Sequence, residues 1–310
     1  MQELVQQLII GLSLGASYAL IALGYTMVYG VLRLINFAHG EVYMVGGVVA
    51  YHLANIMVRA SQPAWLSITV VFLSAMIICA LLGFTIEFLA YRPLRHRPRL
   101  VVLITAIGVS LLLQNVAQLP QVFGPTPRTL PRLIETKTVI SFKIGNTSSP
   151  VSITNLDVLS LSTSIAVMLL LVWIVLGTRA GLALRAVSHR VDTAALMGIN
   201  TNRIISFTFI LGSALAAVAG VIDAIRYDVK PLMGLMPGLK AFIAAVLGGI
   251  GSIPGALLGG LLLGLIETMA KAYLPRGYTA YADGVAFVVL ILILLIKPSG
   301  LLGRTTPEKV

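Results

Sequence analysis

Long apolar runs, separated by short polar or basic connectors, set the pattern of the chain. A run of about 18 or more apolar residues can cross roughly 30 Å of hydrocarbon as an α-helix. The runs predict about eight or nine membrane segments, some of them interrupted by glycine and proline. We therefore predict an all-α fold, a polytopic bundle of membrane helices, with residues 1–310 forming a single integral membrane domain.

The composition supports this class of protein. Hydrophobic residues make up 58% of the chain and charged residues only 11%, whereas soluble domains carry about 25% charged residues. We interpret the net charge of +11 as topology signals and contacts with anionic lipids, because basic residues flank membrane spans. The lipid bilayer is thus an expected partner, and nucleic acid is not.

The distribution of Lys and Arg predicts the orientation of the spans. Arg33 follows the first apolar run, and four arginines lie within residues 91–99. Because cytoplasmic connectors are rich in Lys and Arg, we expect the N-terminus outside and the C-terminus in the cytoplasm. Residues 120–157 form the longest polar segment, which we expect outside the membrane, with a small β-hairpin that includes residues 138–142.

Polar residues interrupt the apolar pattern after the first run. Asn36, His39 and Glu41 lie between two apolar runs, and polar groups at membrane depth usually face a cavity or a protein interior. They are candidates for a translocation path. The alternative is that they cap or anchor the next helix, whose first turn favours a carboxylate. Glu87, by contrast, is expected to pair with an arginine of residues 92–99.

Glycine and proline are concentrated in residues 231–264. Helices broken by Gly and Pro at membrane depth must be buried in protein or line a cavity. Gly248, Gly249 and Gly251 are therefore candidate path residues, although tight helix packing explains the same glycines. Residues 8–50 and 209–249 share a loose pattern of small-residue helix, polar break and glycine-rich helix, which indicates a possible inverted repeat.

Motifs for covalent, metal or nucleotide chemistry are missing from the sequence. It contains no Walker motif, no His-Glu-x-x-His, no Gly-x-Ser-x-Gly and no Cys/His metal spacing. We predict no catalytic residue, no metal site and no enzyme activity. Asp223, Arg226, Asp228 and Lys230 are interpreted as a solvated rim, and dense charge pairs within the membrane are not expected.

The connector formed by residues 178–203 is longer than two membrane spans require. Its apolar residues recur at the spacing of one helix face, at Leu184, Val187, Val191, Ala194 and Ala195. We predict a helix outside the bilayer that docks against a soluble partner. The alternative is an amphipathic helix that rests on the lipid headgroups.

Five segments, taken together, resemble one protein family. They are residues 11–20 (GLSLGASYAL), 34–41 (LINFAHGE), 185–188 (RAVS), 194–200 (AALMGIN) and 238–256, which begins with GLKAF and ends with GGIGSIPGA. Over nearly its whole length the chain resembles the LivH-type permease subunits of bacterial ABC importers for branched-chain amino acids.

The resemblance implies a location and a set of partners. The location is the bacterial cytoplasmic (inner) membrane. The partners are a second related permease chain, two ATP-binding cassette subunits and a periplasmic amino-acid-binding protein. This chain would bind no cofactor itself, because ATP and Mg belong to the partner subunits.

The resemblance also gives the connector a role. Permeases of ABC importers dock on their ATPases through a cytoplasmic loop with the pattern E-A-A-x-x-x-G. Here the match is Asp192-Thr193-Ala194 followed by Gly198, and it departs at the first two positions. The predicted docking residues are Arg185, Ala186, His189, Arg190, Asp192, Thr193, Ala194, Ala195, Gly198 and Asn200.

The expected function is import by alternating access, with ATP-driven movements of the partner subunits transmitted through this loop. The cargo implied by the resemblance is a branched-chain amino acid delivered by the periplasmic binding protein. Two alternatives stay open. One is a permease of the same family for urea, short amides or other amino acids, and the other is a stand-alone secondary carrier or channel.

Overall fold

The computed structural model describes residues 2–95, 97–133, 135–142, 150–275 and 277–303. These residues form eleven α-helices: α1 (Gln2–Leu32), α2 (His39–Arg59), α3 (Ala64–Ile86), α4 (Arg99–Gln118), α5 (Asn155–Gly177), α6 (Arg179–His189), α7 (Val191–Leu196), α8 (Thr201–Arg226), α9 (Leu235–Gly248), α10 (Ile253–Tyr273) and α11 (Ala282–Ile296). Two strands, β1 (Thr138–Phe142) and β2 (Val151–Thr154), lie between α4 and α5.

The helices confirm the predicted class, an all-α polytopic membrane bundle. Within the described residues, seven helices are long and apolar enough to cross a bilayer, and two shorter apolar helices, α9 and α11, accompany them. α1 and α8 form the centre of the bundle, because most of their central residues are buried. α3, α4 and α5 instead expose rows of large apolar side chains, as expected of helices that face lipid.

Side-chain caps fix where several helices of the second half begin. Thr154, Thr178, Asn200 and Ser252 each accept a hydrogen bond from a backbone amide in the first turn of α5, α6, α8 and α10. Such caps satisfy amides that have no partner within the helix. The predicted polar segment 120–157 therefore ends at Thr154, because its last three residues already belong to α5.

Small residues bring the backbones of the central helices into contact. A Cβ added at Gly15 of α1 would lie 2.7 Å from the Cα of Leu261 in α10, and one added at Gly46 of α2 would lie 2.8 Å from the Cα of Ala217 in α8. These distances leave no room for a side chain. Such close approach through small residues is typical of packed membrane helices.

The pattern of helix contacts agrees with the predicted inverted repeat. α1 contacts α10 as α8 contacts α3, α2 contacts α8 as α9 contacts α1, and α2 contacts α3 as α9 contacts α10. α4 contacts α2 as α11 contacts α9. α1 and α8 run in opposite directions, because Ser17 lies beside Asp223 and Gly24 beside Gly212. Exchanging the two sets of helices thus preserves these contacts.

The two ends of the bundle carry different structures. At one end β1 and β2 pair as the predicted antiparallel hairpin, and the side chain of Gln6 holds β2 through two hydrogen bonds with the backbone of Ser152, at 2.8 and 3.2 Å. At the opposite end the backbone amides of Leu301 and Leu302 donate to the last carbonyls of α9. The two ends of the described chain therefore lie on opposite sides of the bundle.

Glu87 lies at a local change in helix geometry. α3 continues through a π-helical turn, Glu87–Tyr91, and a short 3-10 turn, Arg92–Leu94. The Glu87 carboxylate forms an ion pair with Arg95 and accepts a 2.6 Å hydrogen bond from Ser206 of α8. The predicted pairing with an arginine of residues 92–99 is confirmed. Two partners on a fully buried carboxylate offset the loss of its hydration.

We expect Gly15→Leu to destabilise the bundle by about 1–3 kcal/mol or more, because the side chain would have to displace the backbone of α10. Gly108→Leu in α4 is the matched control, since a Cβ built there has no atom of another described helix within 4 Å. Thermal unfolding of the detergent-purified chain measures both effects. An equal loss of stability in the two variants would contradict the assigned contact between α1 and α10.

Candidate functional site

The polar break between α1 and α2 is an ordered turn. Arg33 adopts a left-handed conformation with φ of 53°, which reverses the chain direction after α1. The side-chain oxygen of Asn36 then accepts hydrogen bonds from the amide of Ala38, at 3.1 Å, and from the hydroxyl of Tyr91, at 2.9 Å. Asn36 therefore anchors the turn before α2. This agrees with the interpretation that the polar residues of this break anchor the next helix.

His39, the first residue of α2, is packed inside the bundle. It is 1% exposed, its ring lies 4.7 Å from the ring of Tyr25 in an edge-on arrangement, and it covers Gly24 of α1. Gly24 lies eight residues before the end of α1, so α2 begins about 12 Å inside the bundle at about 1.5 Å per residue. This start at membrane depth is the geometry of a discontinuous helix.

α9 begins at the same depth, next to the start of α2. A Cβ on Gly40 would lie 2.9 Å from the Cα of Gly238 and 2.5 Å from the carbonyl oxygen of Gly234. The first turns of the two helices therefore touch through backbone alone. Both helices carry partial positive charge at this end, because their first amides have no partner within the helix.

A cavity of about 310 Å³ lies against these two helix starts. We call it the α2–α9 pocket. It is bounded by glycines and apolar side chains of α1, α4 and α9, and by three polar residues, Glu41, Ser110 and Gln114. One Glu41 oxygen accepts from Gln114, at 2.7 Å, and from Ser110, at 3.3 Å. The other Glu41 oxygen has no hydrogen-bond partner among the described residues.

A second cavity, of about 710 Å³, opens at the end of the bundle that carries α6. We call it the end cavity. Arg33, Leu184, Arg185 and Gly251 are among its lining residues. Phe242 of α9 lines this cavity and the α2–α9 pocket. Its ring lies 6.1 Å from that of Tyr25 and 6.3 Å from that of Phe37, so three aromatic rings separate the two spaces.

The glycine-rich segment that follows α9 forms a tight corner. Gly249 and Gly251 adopt φ of 104° and 92°, conformations that side chains other than hydrogen rarely permit. Gly248 packs against the backbone of Gly255, and Gly249 against that of Gly303. Of the three candidate path glycines, Gly251 lines the end cavity, whereas Gly248 and Gly249 are enclosed by backbone. A role of these residues in transport stays a prediction.

The connector 178–203 folds as two short helices and not as one. Arg190 is extended, with φ of −149°, and separates α6 from α7. Leu184, Val187 and Ala194 are buried, as the helical spacing predicted. Val191 and Ala195 are exposed instead, because the break at Arg190 turns α7 and shifts its faces relative to α6.

The end of α7 exposes a pair of large apolar side chains. Leu196 is 88% exposed and Met197 is 79% exposed. Gly198 then ends the helix with φ of 83°, and its amide donates to the carbonyl of Ala195. Two neighbouring apolar side chains with so much exposure mark a surface suited to a protein partner. We call Leu196 and Met197 the α7 tip.

The other predicted docking residues lie on α6, on α7 and on the turns next to these helices. Arg185 and Ala186 lie on α6, where Arg185 also borders the end cavity. Arg185, His189, Arg190, Asp192, Thr193 and Asn200 are exposed, and the side chain of Asn200 caps α8. The helices thus bring the predicted docking residues together on one side of the bundle, where contact with a partner remains a prediction.

The structure corrects two expectations about charge. Asp223 is buried and accepts hydrogen bonds from Ser17, at 2.7 Å, and Tyr43, at 2.8 Å, so it does not belong to a solvated rim. A buried charge network is also present, in which Lys240 pairs with Glu267 at 2.9 Å and with Asp283 at 2.8 Å. Tyr18 and Lys271 also donate to Glu267.

Except for Lys271, which lies four residues after Glu267 on α10, these side chains have their partners on other helices, and no local pattern signals that pairing. Ser110 and Gln114 of α4 were also overlooked, although their spacing of four residues in an apolar run puts both on one helix face. Among the described residues, no group of three or more His, Cys, Asp or Glu side chains could hold a metal ion.

Comparison with known proteins identifies the family. The family model described as "Branched-chain amino acid transport system / permease component" matches residues 7–294. The high-affinity branched-chain amino acid transport system permease protein LivH of Salmonella typhimurium is 45% identical over 308 residues, which cover 99% of this chain and 97% of the relative. No solved structure matches the chain.

Two further relatives are similar to this chain over most of its length. The high-affinity branched-chain amino acid transport system permease protein BraD of Pseudomonas aeruginosa is 45% identical over 311 residues, covering 99% of this chain and 98% of the relative. The probable branched-chain amino acid transport permease protein LivH of Methanocaldococcus jannaschii is 29% identical over 300 residues, covering 92% and 88%. With the family model matching nearly its whole length, the chain belongs to the family of branched-chain amino acid transport system permease components.

Proposed function

We propose that the chain is the permease subunit of an ATP-driven importer that carries branched-chain amino acids across the bacterial inner membrane. The observation that carries this proposal is the 45% identity to LivH and BraD over 99% of the chain. The multi-pass helical bundle is consistent with it. The chain itself performs no bond chemistry, and ATP and Mg are held by partner subunits.

The proposed orientation has the hairpin and the start of α1 outside and the end of α11 in the cytoplasm. Arg92, Arg95, Arg185 and Arg190 lie at the end of the bundle that carries α6 and α7. Cytoplasmic connectors are enriched in Lys and Arg, so this end is assigned to the cytoplasm. Residues 120–154 then lie in the periplasm, where a binding protein delivers its amino acid.

The proposed partners are a second related permease chain, two ATP-binding cassette subunits and a periplasmic amino-acid-binding protein. The α7 tip supports docking on an ATPase subunit, since Leu196 and Met197 are exposed beyond the membrane helices. A helix on the lipid headgroups, the alternative, would also bury apolar side chains. The near-full-length identity to permease proteins of amino acid transport systems favours the ATPase.

The proposed mechanism is alternating access. In the proposed orientation the end cavity opens toward the cytoplasm. The rings of Tyr25, Phe37 and Phe242 lie between this cavity and the α2–α9 pocket. ATP binding by the partner subunits moves α6 and α7, and the permease pair then opens outward to receive cargo. Hydrolysis returns the pair to the inward-open arrangement.

Purification of the tagged chain from its own membranes in mild detergent tests this proposal. We expect two Walker-motif proteins and a second hydrophobic permease to copurify, and we expect the reconstituted complex to accumulate leucine only with ATP. Uptake of leucine by the chain alone without ATP would replace the proposal by a self-sufficient carrier. Robust ATP-driven uptake of urea or short amides without uptake of leucine would change the cargo.

Charge at the α7 tip should disrupt docking. We expect Leu196→Asp combined with Met197→Asp to reduce ATPase copurification at least tenfold, because each buried apolar side chain contributes about 1.5–3 kcal/mol. The fold should survive, since both side chains are exposed in the isolated chain. Val139→Asp in β1, at a 56% exposed position, is the control that should copurify ATPases normally. Normal copurification in the tip variant would contradict the assignment.

The backbone at Gly198 provides a separate test of the docking loop. No described atom lies within 4 Å of a Cβ built at Gly198, so only its φ of 83° penalises a side chain. A left-handed conformation costs most residues about 1–2 kcal/mol and is easier for Asn. We expect Gly198→Val to lower ATP-driven uptake and Gly198→Asn to retain most of it. Equal uptake in both variants would show that this turn is not needed.

A further inference from the structure

Glu41 stands out among the buried carboxylates of the bundle. Glu87, Asp223 and Glu267 each place both oxygens in hydrogen bonds or ion pairs. Glu41 is only 1% exposed, yet one of its oxygens has no partner among the described residues. A buried carboxylate without a full set of partners is costly, so a missing partner is expected to come from outside the chain.

The unpaired oxygen lies beside Gly234, which lines the α2–α9 pocket together with Glu41. Glu41 lines this pocket, and a Cβ built on Gly234 at the start of α9 would lie 2.6 Å from that oxygen. Gln114 and Ser110 hold the other oxygen, which fixes the direction of the carboxylate. A cationic group in the pocket would complete the hydrogen bonds of Glu41.

The remaining walls of the pocket provide two further environments. Phe37, Ile107, Leu111, Leu239 and Phe242 make most of its surface apolar. Gly40 and Gly238 line the pocket at the first turns of α2 and α9, where the positive ends of the two helix dipoles favour an anionic group. One cation site, one anion site and an apolar wall match the three parts of an aliphatic α-amino acid.

We propose that the α2–α9 pocket is a substrate site within the membrane, in which Glu41 binds the α-ammonium group of the transported amino acid. The aliphatic side chain then packs against the apolar wall, and the carboxylate faces the first turns of α2 and α9. This inference rests on the proposed function and deepens it. It gives the permease a selective contact with its cargo, in addition to any selectivity of a binding protein.

The site explains why the first turns of α2 and α9 meet where they do. The start of α2 lies about 12 Å inside the bundle. Glycines at positions 40, 234 and 238 let the backbones of α2 and α9 touch at this depth. The rings of Tyr25, Phe37 and Phe242 then close the pocket toward the end cavity.

Protection of a cysteine in the pocket wall provides a direct test. Leu111 lines the pocket, whereas its neighbour Leu112 on α4 is similarly exposed, at 61% against 52%, and is not among the lining residues. The native Cys79 is buried and gives little background. Membrane vesicles that contain the complete transport system with Leu111→Cys or Leu112→Cys are labelled with N-ethylmaleimide.

We expect leucine to slow the labelling of Leu111→Cys about tenfold at about ten times its dissociation constant, and to leave Leu112→Cys unchanged. The compound 4-methylpentanoate keeps the skeleton and carboxylate of leucine but lacks the ammonium group, so it should not protect. The amine 3-methylbutylamine keeps the ammonium group and should protect in part. Equal protection by leucine and 4-methylpentanoate would overturn the role of Glu41.

Glu41→Gln in the Leu111→Cys background tests the carboxylate itself. Removing a charge-assisted hydrogen bond should raise the leucine concentration for half-protection about 10- to 100-fold. Unchanged labelling without leucine shows that the pocket has kept its shape, and Glu41→Asp should restore part of the protection. Wild-type-like protection in Glu41→Gln would contradict the proposal.

The two proposals fail in different ways. Vesicles with the unsubstituted chain are first assayed for ATP-driven leucine uptake. If uptake is absent, the proposed function fails and this inference fails with it. If uptake is present but leucine does not protect Leu111→Cys, the importer stands and only the substrate site is rejected.

Discussion

Backbone contact between glycine-rich helices is the constraint on which the rest of the structure depends. Helices in lipid gain little from burying apolar side chains against each other, so close packing of small residues holds them together. Gly15 meets α10, Gly46 meets α8, and Gly40 meets the start of α9 in this way. The last of these contacts matters most for function, because it holds the first turns of α2 and α9 together at membrane depth.

The buried carboxylates of the bundle differ in how many of their oxygens have hydrogen-bond or ion-pair partners. Glu87 and Glu267 have cationic partners, and Asp223 has two hydroxyl donors. These groups join helices that are distant in sequence, and their pairing is sufficient to explain their burial. Glu41 differs because its carboxylate is fixed on one side and unpaired on the other. That contrast separates a structural carboxylate from one available to a ligand.

The sequence predicted features that depend on local pattern. Apolar runs located the spans, and β-favouring residues located the hairpin. The pairing of Asp223 with Ser17 and Tyr43 escaped prediction, because the partners lie 206 and 180 residues away. The extended Arg190 also escaped, since apolar spacing continues across it while the helix does not. Long-range partners and single-residue breaks leave no periodic signal.

A mechanical consequence follows from the position of α9. Its first turn bounds the α2–α9 pocket, its last turn is held by the backbone of residues 301–302, and Phe242 in between borders both cavities. α6 borders the end cavity through Leu184 and Arg185. A movement of α6 relative to α9 therefore changes the cavity that Phe242 closes. Under the proposed function, α6 and α9 therefore link the docking loop to the substrate site through the end cavity that they both border. The link needs no direct contact between the loop and the site.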